Sequence, residues 1–242
     1  MTYSLDQDGF QIIPSALSDA QVETLRSVLK VLSVAPGHRN LTQRVPEIAS
    51  LAISPQILDM LEALLGTRSF PVRSIYFDKT PETNWLVPFH QDLSIATKKR
   101  VDVPGYGPWS VKDGVPHVQP PMEILETMAT VRLHLDDCDD SNGPLRVIPG
   151  SHRFGRVSTA EINRLRSQHK EVNCRVKVGD ALIMRPLLLH ASSEAINPSH
   201  RRVIHLEYAT CQLPRSLEWA ESLEPAPTQF HSSSSTCRCF SP

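Results

Sequence analysis

The chain has 242 residues, 21% of them charged and 40% hydrophobic, with a formal net charge of -1. That composition supports an ordinary core and excludes a disordered or polybasic chain, so neither nucleic acid nor an anionic membrane surface is an expected partner. No apolar run approaches the ~18 residues of a membrane span, and residues 1–6 lack the basic and apolar regions of a secretory signal, so a cytoplasmic protein is expected.

Asp8-Gly9-Phe10-Gln11-Ile12-Ile13-Pro14 predicts a short strand with a turn before it. Ser18 then offers an N-cap with Gln21 as its capping-box partner. Val22, Leu25 and Leu29 recur at helical spacing, which predicts an amphipathic helix over 18–29. A second helix is expected over Pro55–Leu65, with Ile57, Met60, Leu61, Leu64 and Leu65 on its buried side. Strand signals follow at 72–79, 130–135, 145–148, 181–184 and 201–209. Between them, residues 93–128 are rich in Pro, Gly and charge and interrupt the strands. Insertions this long are functional or disordered, and this one is read as a lid, with a solvated, partly ordered loop as the alternative. Helices gathered near the N-terminus, followed by strands separated by turns, predict a mainly β fold, a jelly roll flanked by α-helices. One domain over 1–225 is expected, with the Ser-rich stretch 226–242 as a disordered tail. The five cysteines (Cys138, Cys174, Cys211, Cys237 and Cys239) are odd in number and scattered, which is no disulfide framework.

The strongest chemical signal is Pro88-Phe89-His90-Gln91-Asp92. Positions i and i+2 of an extended strand face the same side, so His90 and Asp92 can converge on one ion. Two imidazoles and one carboxylate on a face of an octahedral ion leave three positions open, the pattern of non-haem Fe(II) oxygenases. Of the ten histidines, His190 is the best third ligand, because the strand and apolar stretch before it would carry it into a barrel mouth. Arg201 opens the next strand and offers a planar, bidentate clamp for the far end of a dicarboxylate. Singly, each is weak. A His-x-Asp triplet is commonly a surface turn, His190 alone a hydrogen-bonded strand-end His, and Arg201 alone a surface Arg. Order and spacing carry the inference. His152 reads as a structural decoy on a turn, and His117, His169, His200 and His231 as solvated loop residues.

Together with Asp8-Gly9-Phe10, these stretches resemble the phytanoyl-CoA dioxygenase family, which includes ectoine hydroxylase-like enzymes. The matching residues are Phe77-Asp78-Lys79-Thr80-Pro81, Trp85 through Asp92, Asn142-Gly143-Pro144-Leu145, Pro149-Gly150-Ser151-His152, Val178-Gly179-Asp180, His190-Ala191-Ser192, Asn197 and Arg201. The resemblance implies a double-stranded β-helix (cupin-like) fold, Fe(II) and 2-oxoglutarate. It implies iron ligands at His90, Asp92 and His190, and Arg201 on the outer carboxylate of 2-oxoglutarate. Ser192 is implied as its hydrogen-bonding helper, with Lys79 as a further cosubstrate contact. Because Asp92 is present, hydroxylation or a related oxidation, rather than halogenation, is implied. One departure stands out: the position aligned with Arg132 often carries Trp in relatives.

Alternation adds to this. If Arg201 points inward, so do His205 and Glu207, and by the same rule Arg132 and His134 are expected to line the mouth. Arg132 then meets the inner carboxylate of 2-oxoglutarate or an anionic group on substrate. The alternative is an outward salt bridge to the acids near Asp136. In the insertion, Lys98-Lys99-Arg100 reads as solvated and Trp109 as the expected substrate contact. The sum is an Fe(II)- and 2-oxoglutarate-dependent dioxygenase that consumes O2, hydroxylates a small polar or anionic metabolite, and releases succinate and CO2. Two other readings stay open: a cupin-like metal enzyme without 2-oxoglutarate, and a catalytically silent binding module.

Overall fold

In the computed structural model, which describes residues 2–32, 35, 37–214 and 216–223, the chain alternates short helices with strands. The expected tail, with His231, Cys237 and Cys239, lies outside the described residues. In chain order the strands are β1 (Phe10–Ile13), β2 (His38–Arg39), β3 (Phe70–Lys79), β4 (Val87–His90), β5 (Ile95–Ala96), β6 (Trp109–Lys112), β7 (Val115–Val118), β8 (Ala129–His134), β9 (Leu145–Val147), β10 (Val172–Cys174), β11 (Ala181–Met184), β12 (His190–Ser192) and β13 (Arg201–Ala209).

Two antiparallel sheets make the jelly roll, ordered β1-β11-β8-β13-β3-β2 and β10-β9-β12-β4. Their inner faces pack through Phe10, Leu182 and Met184 of the first and Leu145, Val147 and Cys174 of the second. The outer face of the larger sheet is apolar too: Val131 and Leu133 of β8 and Ile204, Leu206 and Tyr208 of β13 bury against helices. Each such side chain contributes about 1.5–3 kcal/mol when fully removed from water. This division of faces leaves the alternate residues of β8 and β13, among them Arg132, Arg201, His205 and Glu207, to point inward.

The helix Asp19–Leu29 starts at Ser18 with both halves of the capping box to Gln21 in place, a motif in which the N-cap alone is worth about 1 kcal/mol. The helix Pro55–Leu65 buries Ile57, Leu58 and Leu61, while Met60, Leu64 and Leu65 are only partly covered. Helices Leu41–Arg44, Pro46–Ala52 and Thr159–Gln168 were not expected. The last is opened by a Ser158–Glu161 capping box that was readable in the sequence. One expectation is corrected: Pro46–Leu65 is long and apolar enough to cross a membrane, with a mean hydropathy of 1.4. Here it is two helices broken at Ile53-Ser54. Glu47, Gln56, Asp59 and Glu62 face outward, and Ile48, Leu51, Ile57 and Leu61 are buried in the core.

The insertion is not a loop. β5, β7 and β6 form a third antiparallel sheet, and the β6–β7 hairpin turns at Asp113-Gly114, both at positive φ (50° and 78°). Asp-Gly is a preferred pair for such a tight hairpin turn. The sheet docks on the segment after β13, where Thr97 bridges to the buried Trp219. Trp109 packs inside this unit with Arg100 over its ring at 5.8 Å. His117, expected in solvent, is buried in β7 instead, because its strand is the central one of the three. Lys98 and Arg100 are exposed, as are His169 and His200.

Candidate active site

Three cross-strand pairs build the site. His190 on β12 lies opposite His90 on β4, Arg201 on β13 opposite Lys79 on β3, and His205 on β13 opposite Arg132 on β8. Directly opposed residues hold their Cβ atoms about 4.5–5.5 Å apart, so each pair converges without long reach.

β4 ends at His90, yet its alternation continues to Asp92. The reason is Gln91, whose Nε2 donates to the carbonyls of Gly155 and Leu187 (both 2.7 Å) and whose Oε1 accepts the Val157 N–H (3.0 Å). With Gln91 pinned on one side, Asp92 turns to the other, and its own N–H donates to the Pro186 carbonyl (2.9 Å). One ligand atom from each of His90, Asp92 and His190 lies within 4.8 Å of the others. His90 Nε2 is 3.8 Å from Asp92 Oδ1, and His190 Nε2 is 3.6 Å from Asp92 Oδ2. Each imidazole has its Nδ1 2.9 Å from the carbonyl two residues back, Pro88 for His90 and Leu188 for His190. A carbonyl only accepts, so Nδ1 carries the proton and both Nε2 lone pairs face Asp92.

Asp92 Oδ2 is buried with no hydrogen-bond partner. A buried carboxylate oxygen without a donor is costly, and a cation shared with the two Nε2 atoms removes that cost. Burial alone would raise the Asp92 carboxyl, but His190, His205, His90 and Arg73 outweigh it and hold it down at about 2. Burial pushes His190 down to about 4, against the pull of Asp92, so it presents a neutral imidazole at pH 7. The residues present therefore fit a divalent ion of the Fe(II) type, with one anionic oxygen and two neutral nitrogens.

At the next layer Arg201 is 3% exposed and donates to the Gly143 carbonyl, with Ser192 Oγ at 3.3 Å and its Nε unpartnered. Gly143 sits at φ +74°, and a Cβ there would lie 2.6 Å from the Ser193 carbonyl oxygen, which is why the stretch Asn142-Gly143-Pro144-Leu145 needs its glycine. Lys79 is fully buried, donates to Ser192 Oγ (3.0 Å) and the Ser193 carbonyl, and lies 5.3 Å from the Trp85 ring centroid. Burial first, and Arg201 second, draw its amine down to about 7.

A chain of polar contacts crosses the remaining wall. Arg73 pairs with Glu207 (2.8 Å), Glu207 with His205 Nε2 (3.3 Å), and His205 Nδ1 with Arg132 Nη1 (3.0 Å). Because Arg132 can only donate, His205 accepts at Nδ1 and donates Nε2–H to Glu207. Arg132 thus points inward. The acid Asp136 is taken by Arg26 and Arg202.

These groups surround a cavity of about 160 Å³ lined by His90, Asp92, His190, Ser192, Lys79, Arg132, Arg201 and His205, together with Arg39, Arg73, Phe77, Trp85 and Glu207. Of the residues expected at the site, Trp109 and His134 do not line it. Trp109 is held in the insertion. His134 is inward and buried but sits opposite Val203, one step along the strand from the Arg132–His205 pair. Alternation gives the face of a residue, not its depth. Arg73 and Phe77 were missed although they share a face with Lys79, and Trp85 was missed although it opens the stretch that ends at Asp92. A second cavity, about 200 Å³, lies between Tyr76, Asp78, His200 and Arg202 on the helix-covered side. It contains no metal-ligating cluster among the described residues, so volume alone does not choose the site.

The phytanoyl-CoA dioxygenase (PhyH) family pattern matches residues 5–203. The L-proline trans-4-hydroxylase of Streptomyces griseoviridis is 24% identical over 84% of this chain and 82% of its own length. The iron/alpha-ketoglutarate-dependent dioxygenase ausU of Aspergillus calidoustus is 32% identical over 39% of this chain and 30% of its own. The fold is shared with EctD from S. alaskensis, crystallised with 2-oxoglutarate and 5-hydroxyectoine. Its TM-score is 0.67 at 22% identity, covering 93% of this chain and 83% of EctD.

Proposed function

The chain belongs to the phytanoyl-CoA dioxygenase family and is an Fe(II)- and 2-oxoglutarate-dependent dioxygenase, and from that premise we propose that it hydroxylates a small polar or anionic metabolite. In this reading His90, Asp92 and His190 hold the iron and Arg201 holds the outer carboxylate of 2-oxoglutarate. The observation that carries it is the buried Oδ2 of Asp92, left without a donor 3.6 Å from His190 Nε2, with His90 Nε2 3.8 Å from the other oxygen of the same carboxylate.

Iron, 2-oxoglutarate and O2 together supply the oxidising chemistry, with succinate and CO2 as co-products. The chain's own part is positioning. The Pro88 and Leu188 carbonyls fix the two ring orientations. Arg201, steadied by Gly143 and Ser192, presents an unpartnered Nε to a carboxylate. Lys79 holds Ser192 in turn. Ile75, Val87 and Leu145 give the cavity apolar walls that exclude water from the reacting centre. The β6–β7 hairpin is the lid in this reading, since its tip residue Asp113 pairs with Arg39, which lines the cavity. The cavity volume of about 160 Å³ favours a small substrate, and a relative named for hydroxylating L-proline supports a polar one.

The test is anaerobic addition of Fe(II) and 2-oxoglutarate, read by the weak visible charge-transfer band of the chelate. His90→Ala should abolish the band. Arg201→Ala should keep iron and shift the 2-oxoglutarate midpoint upward by roughly 30-fold or more, the cost of about 2–5 kcal/mol for truncating one partner of a buried charged contact. A wild-type protein with no band and no succinate in air would be a silent binding module instead.

A further inference from the structure

Charge in the cavity does not balance once iron and 2-oxoglutarate are in place. Arg73 is paired with Glu207, and Arg39 with Asp113. The ion's charge is met by Asp92 and the inner carboxylate of 2-oxoglutarate, and Arg201 is met by the outer carboxylate. Lys79 is buried and its amine is committed to Ser192 Oγ and the Ser193 carbonyl in the wall behind Arg201. Arg132 is left over.

Arg132 is 8% exposed and makes no ion pair among the described residues. Its hydrogen bond there goes from Nη1 to His205, and its Nε is buried without a partner. His205 cannot supply the missing charge, because it meets Arg132 through a neutral lone pair. A guanidinium taken out of water with no anion is costly, and a structure keeps one where a ligand completes it. The group is also held in a set plane. It lies 5.7 Å from the Phe77 ring centroid, and His205 stands edge-on to the same ring. Along β13, His205 is four residues from Arg201, about 13 Å of strand. A diacid with one carboxylate on Arg201 and the other on the ion has no third anion to give.

We propose that Arg132 seats a carboxylate of the substrate, which makes the substrate a small acid with a single carboxylate anchored beside the iron. A planar fork of donors matches a carboxylate in two-point contact. This inference rests on the iron and 2-oxoglutarate reading of the same cavity.

The test uses Fe(II)-loaded protein and three small acids, L-proline, pipecolate and cyclohexanecarboxylate, each with its primary amide. Binding is read anaerobically as a perturbation of the 2-oxoglutarate charge-transfer band, and turnover as succinate formed in air. The acids should perturb the band, with the matched amides at least 100-fold weaker. Arg132→Gln should abolish the response to acids while leaving the 2-oxoglutarate midpoint within threefold. Arg132→Lys, which keeps the charge without the fork, should retain a weakened response. The proposal is overturned if acids and amides act alike, if no acid perturbs the wild-type band, or if Arg132→Gln weakens 2-oxoglutarate tenfold or more. Failure of the underlying iron reading looks different, since the wild-type protein would then give no band at all.

Discussion

Glu207→Gln removes one charge from the cavity wall while keeping an oxygen where Arg73 and His205 donate. Both side chains of the Arg73–Glu207 pair are under 10% exposed (9% and 6%) and 2.8 Å apart, so water screens neither. Breaking such a pair from one side strands a buried charge and costs about 3–5 kcal/mol, whereas replacing both partners by apolar residues is close to neutral. For a chain of this size each kcal/mol moves Tm by about 2–4 °C, so Glu207→Gln should lower Tm by roughly 6–20 °C. The double variant Arg73→Met with Glu207→Met should recover most of that loss. The pH dependence has a definite sign. Burial raises the Glu207 carboxyl, but Arg73 first and His205 next outweigh it and hold it below its ordinary value. The pair's stabilisation is therefore present above about pH 4.5 and lost as pH falls through the lowered value, and Glu207→Gln should lack that dependence. Chemical unfolding of Arg73→Met, Glu207→Met and the double gives the coupling directly. A loss under about 1 kcal/mol for Glu207→Gln, or a double variant as unstable as the singles summed, would refute the reasoning.

Gly143→Ala forces a side chain into a left-handed backbone, about 1–2 kcal/mol, and against the Ser193 carbonyl. Unfolding should show that loss, and 2-oxoglutarate binding should weaken, because the Gly143 carbonyl steadies Arg201. Lys79→Met tests a linkage of the same sign with a different cause, a buried cation that costs stability rather than a paired anion that supplies it. The folded amine is drawn down to about 7 from 10.5, so the unfolded chain binds the extra proton between those values and wild-type stability rises with pH there. Urea unfolding at pH 6.5 and 9 should find the variant's relative advantage shrinking as pH rises, and a constant difference would count against the burial argument.

Much of the site was readable before any coordinates. His90-Gln91-Asp92, His190 and Arg201 are recognisable from residue type and order, and the inward set Arg201, His205 and Glu207 follows from strand alternation. The helices Leu41–Arg44 and Pro46–Ala52 were not readable, because four to seven residues are too few for a 3.6-residue period to declare itself. The insertion misled for another reason. Its Pro and Gly content reads as loop, while its strands are two to four residues long and gain their stability from docking on Trp219 and its neighbours. The Asp113-Gly114 pair was the one local signal of its hairpin.

The amino-acid order by itself determined which chemistry-bearing residues exist and which face of a strand each occupies, since the two-residue period of a strand is a local property. Only the tertiary structure decided that His190 stands across from His90, that Arg201 stands across from Lys79, and that Arg132 rather than His134 reaches the cavity. Register between strands far apart in the chain is set by the packing of whole sheets, and no stretch of sequence carries that information alone.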